Sequence, residues 1–211
     1  NNIGISSHYM LSSTMPDDLR AEKDYYAVSG CGANIAWHTE NDTLEIADRE
    51  VLERDIKIYL LSVLRHANAD LLPADWRAAA AEFSATIERY QDAAGDLFDL
   101  SPAREVTRKL HAALDRFYGA ATRGGLDLER ANQVQMRLAR ILVPINFTRE
   151  PRFRHDPAYN CPPLPTLQAA AELAEHPEET LGFAKTQLLR GRNRYVAAID
   201  EALALVEGVL R

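Results

Sequence analysis

Residues 101–122 read SPAREVTRKLHAALDRFYGAAT, and this stretch decides the fold class. Val106, Leu110, Leu114, Phe117 and Ala121 recur at three- and four-residue spacing, which gathers them on one face of an α-helix. Ser101 can cap free backbone N–H groups, and Pro102 at the first helical position gives up only an N–H that has no partner there. Gly124-Gly125 stops the helix. Asp127 then caps a second one carrying Ala131, Val134, Leu138 and Ile141, with Pro144 expected beyond its end. The pair reads as two helices joined by a tight turn.

The same period extends in both directions. Trp76, Ala80, Phe83, Ile87 and Tyr90 form a stripe that closes at Gly95. Further upstream, Asp48 is a cap with Glu50 in the first turn, and Leu52, Ile56, Tyr59, Leu60, Val63 and Leu64 predict a helix with a core to pack on, ended by Pro73. Downstream, Leu167, Ala170, Ala171, Leu173 and Ala174 predict a short helix ending at His176-Pro177. A longer one follows with Leu181, Ala184, Leu188, Tyr195, Ile199, Leu203, Val206 and Leu210, which Gly191 should interrupt only mildly. Five to six antiparallel helices with short connections predict a mainly α protein built as an up-and-down bundle. Residues 146–165 break the pattern, with five prolines and a run of arginines. A long irregular loop inside a compact domain is usually functional or disordered. Before Asp48 the chain is rich in Gly, Ser, Asn and Thr, which predicts a strand and long loops.

The formal charge of -7 excludes a surface that tracks nucleic-acid phosphates. No stretch reaches the roughly 20 apolar residues of a membrane span. Cys31 and Cys161 are too few for a disulfide scaffold and lack zinc-finger spacing; one bridge or two free thiols are both open. A start at Asn1 rather than Met suits a fragment of a longer protein, so the compartment is not readable from this end.

The stretch that carries chemistry is Trp37-His38-Thr39-Glu40-Asn41-Asp42-Thr43-Leu44, preceded by Gly30-Cys31-Gly32-Ala33-Asn34. Small neighbours let the backbone approach closely, so an imidazole after a strand and a Gly-rich loop can be offered to a metal. A lone loop histidine is the commoner reading of such a residue. His38-Thr39 followed by Asp42-Thr43 and a capped amphipathic helix resembles the last metal-binding loop of the di-zinc aminopeptidase and glutamate carboxypeptidase family. Asn2-Ile3-Gly4-Ile5-Ser6-Ser7 resembles that family's strand leading to the substrate pocket. The helical remainder resembles the transferrin-receptor-like dimerisation domain of its glutamate carboxypeptidase branch.

The resemblance implies a remnant of an α/β zinc-peptidase domain at 1–70 and a helical dimerisation domain at 71–211. It implies zinc as cofactor, two ions in the full-length enzyme, with His38 as one ligand and Asp42 a candidate acceptor behind it. The other ligands and the general base would belong to an upstream catalytic domain, so this chain alone is expected to be inactive. Trp37, Arg154, His155 and Tyr159 are the substrate-pocket candidates, Arg154 to Tyr159 through a loop reaching back over the active site. Trp37 stands where the family often has Tyr, and Ser6-Ser7-His8-Tyr9 replaces the arginines that grip a substrate carboxylate in the glutamate carboxypeptidase branch. Aminopeptidase or dipeptidase specificity on peptide substrates, in a homodimer, therefore fits better. The likeness also favours a secreted, periplasmic or cell-surface setting. Two alternatives differ in class: a non-catalytic, receptor-like relative of the same fold, and a helical interaction bundle. Arg149, Arg152, Arg154 and His155 are a further candidate, an anion site on the long loop.

Overall fold

The computed structural model describes residues 3–5, 16–24, 36, 39–154, 156 and 161–211. It divides into two compact units, residues 7–69 on one side and residues 1–6 with 70–211 on the other.

In the first unit, α1 spans Asp17–Glu22 and α2 spans Arg49–Ala67. Asp48 caps α2 as its sequence predicts, its carboxylate accepting the Val51 N–H at 3.0 Å. The expectation that α2 packs on a core is not met, because none of its residues is buried. Leu52 and Ile56 are each 55% exposed and Val63 is 59% exposed. Apolar spacing specifies that a helix needs a cover; it does not say whether neighbouring residues supply one. Val51, Ile58 and Leu61 add apolar surface on other sides of the same helix.

The second unit is the helical bundle, with α3 at Trp76–Ala94, α4 at Ser101–Thr122, α5 at Leu128–Phe147, a 3-10 segment at Gln168–Glu175 and α6 at Glu178–Leu210. The predicted stripes are the buried ones: Phe83, Ile87, Leu110, Leu114, Phe117, Leu138 and Ile199 lose essentially all solvent contact. Although α4 and α5 are joined by a tight turn, each packs chiefly on α6, and α3 packs on α4 and the 3-10 segment. The inward line of α6 is Leu188, Gly191, Tyr195, Ile199, Ala202, Val206 and Val209. Leu181, Leu203 and Leu210 lie at its margins. Inside this core, the Thr107 hydroxyl bonds the Ala103 carbonyl at 2.7 Å and meets the Tyr195 hydroxyl at 2.6 Å. Burial pushes the Tyr195 phenol far above its usual range and keeps it neutral.

Local details depart from the sequence reading in three places. Ser101 is the first helical residue of α4 and not its cap, and its N–H is taken by the Asp99 carboxylate at 2.8 Å. Pro144 lies inside α5, which continues for three more residues because Ile145 and Asn146 are buried and Thr148 closes the last turn with two bonds to the Pro144 carbonyl. Among the described residues there is no strand, and Gly4, with φ at 69°, sits in the left-handed region within the stretch where one was expected. An added Cβ on Gly4 would stand 2.2 Å from the Arg140 Cα, so the chain there lies directly on the α5 backbone.

Candidate functional site

The long connection from α5 to the 3-10 segment is held from three sides. Its first arm is clamped by Arg194 of α6, whose Nη1 donates to the Arg149 carbonyl at 2.6 Å and whose Nη2 donates to the Glu150 carbonyl at 3.0 Å. The Asp156 carboxylate gathers the Arg149 and Glu150 N–H groups at 2.6 and 2.9 Å, folding the loop back on itself. Its returning arm is tied by the Tyr90 hydroxyl, which donates to the Pro163 carbonyl at 2.8 Å, and by the Asn146 side-chain Oδ1, which accepts the Leu164 N–H at 3.4 Å. Burial raises the Tyr90 phenol, so this donor stays protonated well past neutrality. Leu164 takes a left-handed φ of 55° with its side chain fully buried, a strained backbone compensated by core contact.

A cavity of about 490 Å³ opens between this loop and α6, lined by Arg149, Pro151, Gln168, Glu172, Arg190 and Arg194 among others. The Arg149 Nη2 donates to the Gln168 side-chain oxygen at 2.7 Å. Arg190 is exposed and has no partner among the described residues.

Trp37, His38, His155 and Tyr159 lie outside the described residues, as does Cys31. Arg154 is described: its side chain is 75% exposed, and its Nε stands 3.8 Å from the Glu150 carboxylate. It does not line the cavity beside Arg149. Arg149 and Arg152 line different cavities, so these two of the candidate anion-site residues do not share one site; His155, also a candidate, lies outside the described residues. Backbone direction explains this: the clamp fixes residues 149 and 150 against α6, and the chain then turns at Pro151, where its carbonyl accepts the Arg154 N–H at 2.9 Å.

Around the motif, Thr39 and Asp42 form a tight turn. The Thr39 hydroxyl donates to the Ala36 carbonyl at 2.7 Å, and the Asp42 N–H donates to the Thr39 carbonyl at 3.1 Å. Asp42 acts here through its backbone; its exposed carboxylate bonds no described residue. A hydrogen bond from the Thr43 side chain holds the Glu45 carboxyl below its usual range. Cys161 is a half-buried free thiol. His66 and His176 are exposed, and His111 is half-buried with its Nδ1 3.3 Å from the Asp115 carboxylate. No three His, Cys, Asp or Glu side chains among the described residues converge into a metal site.

Sequence reading missed Arg194, Asp156 and Asn146. Arg194 was the findable one, since it precedes Tyr195 on a helix whose apolar stripe was already legible. Comparison of the chain with protein-family models, with curated proteins and with solved structures gave no match.

Proposed function

We propose that this chain is the C-terminal portion of a zinc-dependent exopeptidase of aminopeptidase or dipeptidase type, contributing His38 to a two-zinc centre and a helical domain that pairs subunits. The observation that carries the reading is α2. It follows the His38-Thr39 and Asp42-Thr43 motif, is well capped, and bears apolar residues around most of its circumference that the described residues leave exposed. A helix apolar on many sides belongs in an interior, and an exposed apolar surface of this extent marks contact with another body. In the proposed reading that body is the upstream catalytic domain, for which α2 is the last helix. The clamped loop after α5 is the element that reaches over the pocket, bringing Arg154, His155 and Tyr159 with it. Zinc would supply an ionised water and polarise the scissile carbonyl.

The purified 211-residue chain should hydrolyse no aminoacyl anilide or dipeptide. The full-length protein that contains it should do so in a zinc-dependent way and lose roughly a thousandfold or more in rate on His38→Ala. Full-length activity untouched by His38→Ala, or activity of the short chain abolished by it, would overturn the proposal. Full-length protein that binds no zinc would point instead to the receptor-like reading. Sedimentation should give a dimer of the full-length protein, and a strict monomer at high concentration would remove the pairing role.

A further inference from the structure

A second cavity, of about 330 Å³, lies between α5 and α6 and is lined by Arg137, Arg140, Ile141, Arg152, Ala198, Glu201 and Leu205. We infer that it is a binding site for a small phosphoryl compound, held by the guanidinium groups of Arg137, Arg140 and Arg152. This does not depend on the peptidase reading.

Three like charges share one small cavity, and none has a hydrogen bond or ion pair among the described residues. Arg152 has only the Phe153 ring, 5.6 Å from its guanidinium carbon. Elsewhere on the bundle several arginines are paired with acids, Arg77 with Asp75, Arg104 with Glu88, Arg108 with Glu105 and Arg116 with Glu207, whereas Arg190 is not. The sole acid in the cavity wall, Glu201, is not within ion-pair distance of any of the three, and it leaves the wall with net positive charge in a chain whose total is -7.

The fold builds this convergence. Arg137 and Arg140 are three residues apart on α5 and so share a side of the helix. On α6, residues 194, 198, 201 and 205 follow at three- and four-residue spacing, so the face that clamps the loop through Arg194 continues as the cavity wall. The clamp fixes Arg149 and Glu150, and thereby sets Arg152, two residues on, at the cavity rim. Three guanidinium groups, two from α5 and one from the loop, match a tetrahedral phosphoryl group, whose oxygens point in several directions. A planar carboxylate offers only two oxygens in one plane.

Isothermal titration of the 211-residue chain in low-salt buffer near neutral pH, with inorganic phosphate, pyrophosphate and acetate, tests this. Phosphate and pyrophosphate should bind one to one, and acetate at least about tenfold more weakly. Arg137→Gln, Arg140→Gln and Arg152→Gln should each weaken binding about tenfold or more, while Arg190→Gln in the other cavity should leave it unchanged. Glu201→Gln, which removes the opposing charge, should tighten binding several-fold, a direction that loss of structure would not give. Absence of saturable phosphate binding up to about 10 mM, acetate binding as tight as phosphate, or undiminished binding by a folded variant carrying all three glutamines would each overturn the site.

Discussion

Gly191→Ala lowers the stability of the helical unit by about 1–2 kcal/mol, against the ordinary preference for alanine in helices. An ideal Cβ at this position stands 2.2 Å from the Thr166 carbonyl oxygen and 3.0 Å from its carbon, inside any tolerated contact. Alanine gains about 1 kcal/mol from helix propensity. Overpacking against backbone costs about 1–3 kcal/mol and sometimes more. The second effect wins here because the opposing segment cannot retreat: Pro163 is tied to Tyr90, Leu164 to Asn146, and the Leu164 and Leu167 side chains are fully buried. Two glycines of the same helix serve as controls. Gly182 and Gly208 have nothing within 4 Å of an added Cβ, so alanine at either should stabilise, by about 0.5–1 kcal/mol. Urea titrations of the three variants should shift the midpoint of Gly191→Ala down and the other two up, at unchanged slope. A Gly191→Ala protein as stable as the parent would mean that α6 does not approach Thr166 this closely.

That glycine marks where the sequence stopped being legible. Helix positions from Trp76 onward were readable because burial enforces a period of 3.6, and Phe83, Leu110, Leu138 and Ile199 each occupy the core their spacing foretold. Periodicity treats Gly191 as a weak spot; only the path of the Pro-rich loop shows that a small residue is required there. Pro144 was misplaced for a similar reason. A proline penalises a helix by a fixed local amount, whereas the burial of Ile145 and Asn146 that carries α5 past it is set by distant residues. The partners of α6 were equally hidden. A tight turn between α4 and α5 suggests that they pair, and nothing local reveals that the last helix takes up most of the packing surface of both. For the candidate sites, residue type was visible and convergence was not. Arg149, Arg152 and Arg154 stand close in sequence, yet they part between two cavities and solvent, while Arg152 meets Arg137 and Arg140 from another element.

Tyr118→Phe should cost about 2–3 kcal/mol although it removes one oxygen atom. Tyr118 is only 6% exposed, and its hydroxyl does two things at the start of α3: it donates to the Ala74 carbonyl at 2.8 Å and accepts the Trp76 N–H at 3.0 Å. The cap residue Asp75 satisfies the next donor, Arg77 N–H, so nothing else is placed to serve Trp76. Phenylalanine keeps the edge-on contact with Phe117 and the Arg77 guanidinium over the ring at 4.9 Å, which confines the loss to the hydrogen bonds. Each orphaned backbone group costs about 1–3 kcal/mol, moderated where water can reach it. The same hydroxyl makes stability depend on pH. Burial, the largest cause, pushes its pKa up to about 12, partly offset by the Trp76 N–H. In the unfolded chain the phenol titrates near 10, so between about pH 10 and 12 the folded state holds the proton that the unfolded state releases. Stability is therefore fully present below about pH 10 and is lost as pH rises through this window. Tyr195 and Tyr90, also raised by burial, act in the same direction. Chemical denaturation at pH values from about 9 to 12 should show the parent losing stability more steeply than Tyr118→Phe, so that the two converge in strong alkali. Parallel profiles would show that the phenol at 118 is solvated, and equal stabilities near neutrality would show that it does not tie α4 to the start of α3.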